Sequence, residues 1–303
     1  MVLRRLSSFI LPSRFFFLMT AEKSEPKVGL AVAQLVARQF ASLPQVEAVA
    51  LAGSRMSDFS DAESDVDLYA YVTEDIPLKT RAEIAAGSPR AEIGNATWEP
   101  GDEWIDADSG LSVDVMYRQV SWMEEQLDRV LVHHQASVGY STCFWYNLLH
   151  SQKLFDRSGW FANLQQRAGQ PYPHELRRAI IAKNLPLLRR NQSSYLHQIE
   201  LAAAREDAVS VNHRVAALLA SYFDVLLAVN ELPHPGEKRL MQHARASCSK
   251  LPREMEPQVS ELIGSVGGPD GGTVAKANAL LDNLDELLLR EKVIPEGRRP
   301  LLP

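Results

Sequence analysis

Asp65 and Asp67, separated by one residue in Ser64-Asp-Val-Asp-Leu-Tyr69, are the first side chains whose types and spacing point to chemistry. On an extended strand, residues two apart share a face, so both carboxylates point the same way. Like charges so placed repel unless a cation lies between them, and a hard ion such as magnesium takes oxygen ligands of this kind. Asp114, in Ser112-Val-Asp-Val-Met-Tyr117, alternates with Val113 and Val115, which puts its carboxylate on the face opposite the valines. If that strand lies beside the first, three carboxylates converge, an arrangement suited to displacement at phosphorus with a pair of metal ions. Upstream, Leu51-Ala-Gly-Ser-Arg55 reads as a strand end turning toward a helix. Gly53 lets a phosphate approach the backbone, and Ser54 adds a hydroxyl donor to the exposed N–H groups.

The elements that must position these residues follow from hydrophobic periodicity. Val28, Val32, Leu35, Val36 and Phe40 recur at helical spacing up to a stop at Pro44. Residues 46–52 and 66–72 read as strands, and 77–87 as a short helix. Strands are expected around 91–93, 103–107 and 111–117, the last two joined by the turn signal Asp108-Ser-Gly110, with a helical pattern resuming over 122–132. Beyond residue 174 the chain is Leu- and Ala-rich and helical, broken at Pro233-His-Pro-Gly236, Pro252 and Gly267-Gly-Pro-Asp-Gly-Gly272. Strands followed by a run of helices predict an α+β architecture: a mixed-sheet domain over 25–157, an all-helical, bundle-like domain over 158–303, and a cleft between them.

Gly53-Ser54, eleven positions to Asp65-x-Asp67, and a lone Asp114 on a later strand together resemble the polymerase-β-like nucleotidyltransferase superfamily. Within it, the chain is similar to the bacterial minimal nucleotidyltransferases and the aminoglycoside adenylyltransferases. The resemblance implies that Gly53 and Ser54 hold the triphosphate of ATP or another nucleoside triphosphate, and that Asp65 and Asp67 bind magnesium. It also implies that Asp114 completes the site and helps activate a hydroxyl of a small molecule or protein, to which a nucleoside monophosphate passes as pyrophosphate leaves. Arg55, Lys183 and Lys238 are candidate partners for the phosphates, each with an ordinary surface role as the alternative. Glu99 is either a second candidate base or a plain loop glutamate. Relatives carry glycine four residues after the motif serine; here Asp58 stands there.

With 303 residues, 46% hydrophobic and 23% charged, the chain has the composition of a globular protein. Its net charge of -6 speaks against nucleic acid as the acceptor, because phosphate binding calls for a basic face. Two distant cysteines, Cys143 and Cys248, form neither a zinc pattern nor a disulfide framework and fit a reducing, cytoplasmic setting. His133-His134 lacks a third ligand at suitable spacing, and Trp98, Trp104 and Trp145 are expected in the core or lining a pocket. Residues 1–24 read as a tail, with Met19 as an alternative start and an organellar targeting peptide as a third reading; Pro12 and Arg14 interrupt any signal-like apolar run. No window reaches the ~18 apolar residues of a membrane span. A silent nucleotide- or partner-binding protein of the same fold, and a purely structural helical module, remain open as rival readings.

Overall fold

The computed structural model describes residues 25–52, 65–97, 99–268 and 272–294. Gly53, Ser54, Arg55, Asp58 and Trp98 lie outside the described residues, as does the expected tail. The first half runs α1 (Glu25–Ala41), β1 (Val46–Leu51), β2 (Val66–Val72), α2 (Leu78–Ile84), β3 (Glu92–Asn95), β4 (Gly101–Ile105) and β5 (Ser112–Gln119). Then come α3 (Val120–Leu131), α4 (Cys143–His150), β6 (Gln152–Asp156) and α5 (Trp160–Ala168). The remainder is helical: α6 (His174–Arg189), α7 (Tyr195–Ala203), α8 (Ala208–Val229), α9 (Leu240–Ser247), α10 (Met255–Gly264) and α11 (Thr273–Arg290). The α+β class expected from the sequence is the one observed; α4, β6 and α5 are additions to the expected elements.

Six strands form one mixed sheet in the order β3-β4-β5-β2-β1-β6. Only β2 and β5 run parallel; every other neighbouring pair is antiparallel. Alternation along the strands separates two buried faces. On one, Val66, Leu68, Ala70, Val113 and Val115 pack with Val32, Val36 and Phe40 of α1. The other presents Ala48, Ala50, Tyr69 and Tyr71 to Met123 and Leu127 of α3, Trp145 and Leu148 of α4, and Phe161 and Leu164 of α5. That second core continues without a break into the helical half, where Tyr222–Val229 of α8 are buried on every side. A helix apolar all round belongs at the centre of its layer. Among the described residues no helix is long and apolar enough to cross a membrane. Trp104 and Trp145 are core residues at 4% and 2% exposure.

A buried carboxylate ties the first face together. Asp102, 1% exposed, accepts from Arg81 Nε (2.8 Å) and Nη2 (2.5 Å), from the Tyr117 hydroxyl (2.6 Å) and from Gly94 N (2.8 Å). The Arg81 guanidinium also lies 4.1 Å over the Tyr117 ring. Removing one member of such a pair leaves its partner buried and unpaired, which costs more than the pair contributes when intact. Asp102→Ala is expected to destabilise the fold by about 3–5 kcal/mol, read as a lower midpoint in urea with the slope retained.

Candidate active site

The register of the parallel pair brings the predicted carboxylates together. Asp67 of β2 stands directly opposite Asp114 of β5, and Glu103 of β4 stands opposite Asp114 on its other side. Side chains at paired positions share a face of the sheet, so Asp67, Asp114 and Glu103 form a row across three strands. Glu92 of β3 extends the row, opposite Glu103. Asp67 and Asp114 are partly buried, while Asp65, just before β2, is exposed. On the β1 side, Ala52 donates its N–H to the Asp67 carbonyl at 2.9 Å. Gly53 and Ser54 therefore follow immediately on a residue bonded to the backbone of Asp67.

Electrostatics confirm that the row is crowded with negative charge. Burial first, then the carboxylates of Asp67, Glu103, Asp65 and Glu99, push Asp114 up from 3.8 to about 6. A neighbouring carboxylate raises a pKa only by standing near, so all four reach the field around Asp114. Space beside it is kept by Gly101: a Cβ there would lie 3.1 Å from the Val115 carbonyl oxygen and 3.9 Å from Asp114 Oδ1.

Four residues further along the same face of β5, the surroundings change from charged to aromatic. Arg118, 5% exposed, donates Nε and Nη2 to Glu99 Oε2 and Oε1, each at 3.0 Å. Its guanidinium stacks 3.8 Å over Tyr69, with the Phe144 ring at 5.2 Å and Trp122 at 5.7 Å. Asn147 Nδ2 of α4 reaches the Tyr69 hydroxyl at 3.5 Å. Glu99 is thus held by a buried arginine beside the acidic row. Lys183 on α6 and Lys238 after α8 are both exposed.

Glu103, Gly101 and the Glu99–Arg118 pair escaped the sequence reading. Glu103 had a usable signal: counting back from the Asp108-Ser-Gly110 turn pairs Ile105 with Ser112 and hence Glu103 with Asp114. The Arg118–Glu99 pair had none, because nothing local ties a loop residue to a strand end nineteen positions on. Among the described residues, no group of three or more Asp, Glu, His or Cys side chains is arranged to hold a metal ion by itself.

No protein-family model matches the sequence, and no curated protein does. Among solved structures, the chain is similar to a nucleotidyltransferase-like protein from Exiguobacterium sibiricum 255-15, with a TM-score of 0.41 and 12% identity over 90% of this chain and 81% of that one. A likeness of that degree leaves function to be argued from the site itself.

Two outcomes test the geometry. A carboxyl whose folded pKa lies above its unfolded value stabilises the fold at low pH, and that contribution is lost as pH rises through about 4 to 6. In metal-free buffer at neutral pH, Asp114→Asn is therefore expected to melt higher than wild type, by about 2–4 °C for each ~1 kcal/mol relieved. Gly101→Val, which forces atoms against the Val115 carbonyl and Asp114, is expected to lower the melting temperature and to abolish any ligand-induced stabilisation.

Proposed function

We propose that the chain is a magnesium-dependent nucleotidyltransferase that moves a nucleoside monophosphate from ATP or another nucleoside triphosphate to a hydroxyl of a small molecule or protein. The observation that supports it best is the opposition of Asp67 and Asp114 on adjacent parallel strands, with Asp65 and Glu103 close enough to disturb Asp114. The donor set fits magnesium. It is all oxygen, its members repel one another, and magnesium is commonly held by one or two carboxylates with phosphate oxygens and water supplying the rest. A site of that kind need not contain three converging protein ligands.

Asp65 and Asp67 would hold the ion, with Asp114 completing the set. Bound there, magnesium supplies positive charge between these carboxylates and the phosphates of the donor. Gly53 and Ser54 are assigned to the triphosphate through backbone N–H groups and the serine hydroxyl, with Arg55, Lys183 and Lys238 as further phosphate partners. Asp114, facing Asp67, accepts the hydrogen bond of the acceptor hydroxyl and aligns it for attack. The acceptor hydroxyl gives its proton to Asp114 as the new bond forms from its oxygen to the α-phosphorus, the bond from that phosphorus to the bridging oxygen breaks, and pyrophosphate leaves in line. The Glu99–Arg118–Tyr69 group forms a wall beside this row, where an acceptor can be oriented.

Thermal unfolding with a non-hydrolysable ATP analogue, with and without magnesium, tests the reading. At ~100 times its dissociation constant, a ligand that binds only the folded protein adds about 2.7 kcal/mol. A magnesium-dependent rise in wild type, absent in Asp67→Asn, is expected. No rise in wild type under either condition would remove the proposal. A rise accompanied by no transfer of label from α-labelled ATP to any hydroxyl compound would favour a silent nucleotide-binding protein.

A further inference from the structure

The connection between α3 and α4, residues 132–142, crosses from the sheet to the helical half, and buried polar groups pin it there. Ser141 donates its N–H to Asp224 Oδ1 at 3.1 Å and its hydroxyl to Oδ2 at 2.6 Å. Asn184 Nδ2 of α6 donates to Asp224 Oδ2 at 3.1 Å and to the Ser137 carbonyl at 3.0 Å, while its Oδ1 accepts from Gly139 N at 2.9 Å. Both Asp224, on α8, and Asn184 are buried. The backbone of this strap is unusual where it is pinned: Gly139 and Tyr140 are successive left-handed residues, with φ of 70 and 54. A Cβ on Gly139 would meet that of Ala220 at 3.0 Å. A bulky residue such as Tyr140 adopts this conformation only where its surroundings impose it.

The charge on Asp224 has no ionic partner in this network. Its three donors are neutral groups, and it is 2% exposed. Arg129 of α3 lies close enough to act on it electrostatically, yet its donors go to the strap: Nη2 to the Ser141 carbonyl at 3.1 Å and Nη1 to the Ser137 hydroxyl at 3.0 Å. The other titratable groups that feel Asp224 are Cys143 at the start of α4 and Tyr172 before α6. Burial pushes the Cys143 thiol up to about 12 and raises Tyr172 as well, so both are neutral. A carboxylate kept from water by neutral donors alone is held at a cost that its neutral form does not carry.

We propose that Asp224 is a pH-sensitive clamp on the 132–142 strap: its neutral carboxyl holds the strap against α6 and α8, and its ionised form favours an opened strap in which water reaches the carboxylate. The network accommodates the proton without losing a donor. A proton on Oδ2 is donated to Ser141 Oγ, whose own hydrogen turns to the Ser137 carbonyl, 3.3 Å away. Burial pushes Asp224 up from 3.8 to about 6, against the opposing pull of the Ser141 and Asn184 bonds and of Arg129. With the closed-state pKa above the open-state one, closure is favoured in acid and weakens as pH rises through about 4 to 6. The strap leads directly into α4, which sets Phe144 against Arg118 and Asn147 against Tyr69, so its release loosens one wall of the candidate active site.

Hydrogen exchange of the full-length protein, corrected for intrinsic rates, tests the clamp at about pH 5 and about pH 7.5. The amides of Ser137, Gly139 and Ser141 are the reporters, with strand 66–72 as the internal reference. Wild type is expected to lose protection in the strap by about tenfold or more at the higher pH, one pKa unit of displacement being worth a factor of ten. Asp224→Asn, an uncharged carboxamide of the same shape, is expected to keep the acid level of protection at both. Equal strap protection at the two pH values in wild type overturns the proposal, as does a wild-type pH dependence retained in Asp224→Asn. Should Asp224→Asn not fold, the wild-type comparison decides by itself, since equal strap protection at the two pH values overturns the clamp.

Discussion

Asp67 and Asp114 are held face to face by the backbone ladder of two parallel strands, and much of the architecture follows from that pairing. Parallel neighbours cannot be joined by a tight turn, so the chain between β2 and β5 must leave the sheet and come back. It does so through α2 and the β3–β4 pair, and the return through β4 adds Glu103 to the row. Like charges opposite one another in a ladder oppose the pairing by a fraction of a kcal/mol to about 1 kcal/mol. The apolar positions on the reverse face, Val66, Leu68, Val113 and Val115, are fully buried under α1 and outweigh that repulsion. The sheet thus imposes the proximity of carboxylates that would separate if their side chains were free to decide.

Four partly or fully buried aspartates show how differently this protein treats one chemical group. Asp102 has Arg81, a tyrosine hydroxyl and a backbone N–H. Asp285 of α11 takes Arg189 Nη2, at the end of α6, at 2.6 Å and Arg190 Nη2, just after it, at 2.7 Å. Both are compensated and serve to fasten elements. Asp224 has only neutral donors, and Asp114 has carboxylates for neighbours. Asp114 and Asp224 are both pushed up to about 6. Uncompensated carboxylates are costly to keep, and here they sit in the candidate site and in the strap that supports it.

The fold class was legible because it rests on periodicity: α1, β1, β2 and the long helices each carry a repeating apolar signal of their own. The aspartate row was legible because two of its members lie on strands whose alternation shows which way they point. What stayed hidden was tertiary. Strand β6, Gln152–Asp156, has an exposed start and only half-buried remaining positions, so its sequence lacks a strand-like pattern and its pairing with β1 makes it a strand. The continuity of the second core across residue 157 also has no local signature, since it depends on Tyr69 and Tyr71 meeting α3, α4 and α5 and, through them, α6 to α11. Asp224 was visible only as a blemish in the most apolar stretch of the chain, and its partners lie forty and eighty-three positions away.

The position of the row on the sheet explains why this face can serve chemistry at one end and packing at the other. Along β2 the same face carries Asp67, then Tyr69, then Tyr71, and the exposure falls from partial to 7% to 1%. Along β5 it carries Asp114, Met116 and Arg118, with Arg118 roofed by the aromatic rings of Tyr69, Trp122 and Phe144. Burial therefore deepens over four residues, and the carboxylates occupy the open end, where β1 finishes. Arg118 marks the boundary. Inside it the face is sealed by α3 and α4; outside it Glu99 projects from the guanidinium toward the acids, with a side chain 38% exposed. A carboxylate fixed by two hydrogen bonds from a buried base keeps its remaining lone pairs directed outward. The wall of the candidate site is thereby fastened to the core behind it, and through Phe144 and Asn147 of α4 to the end of the Asp224 strap.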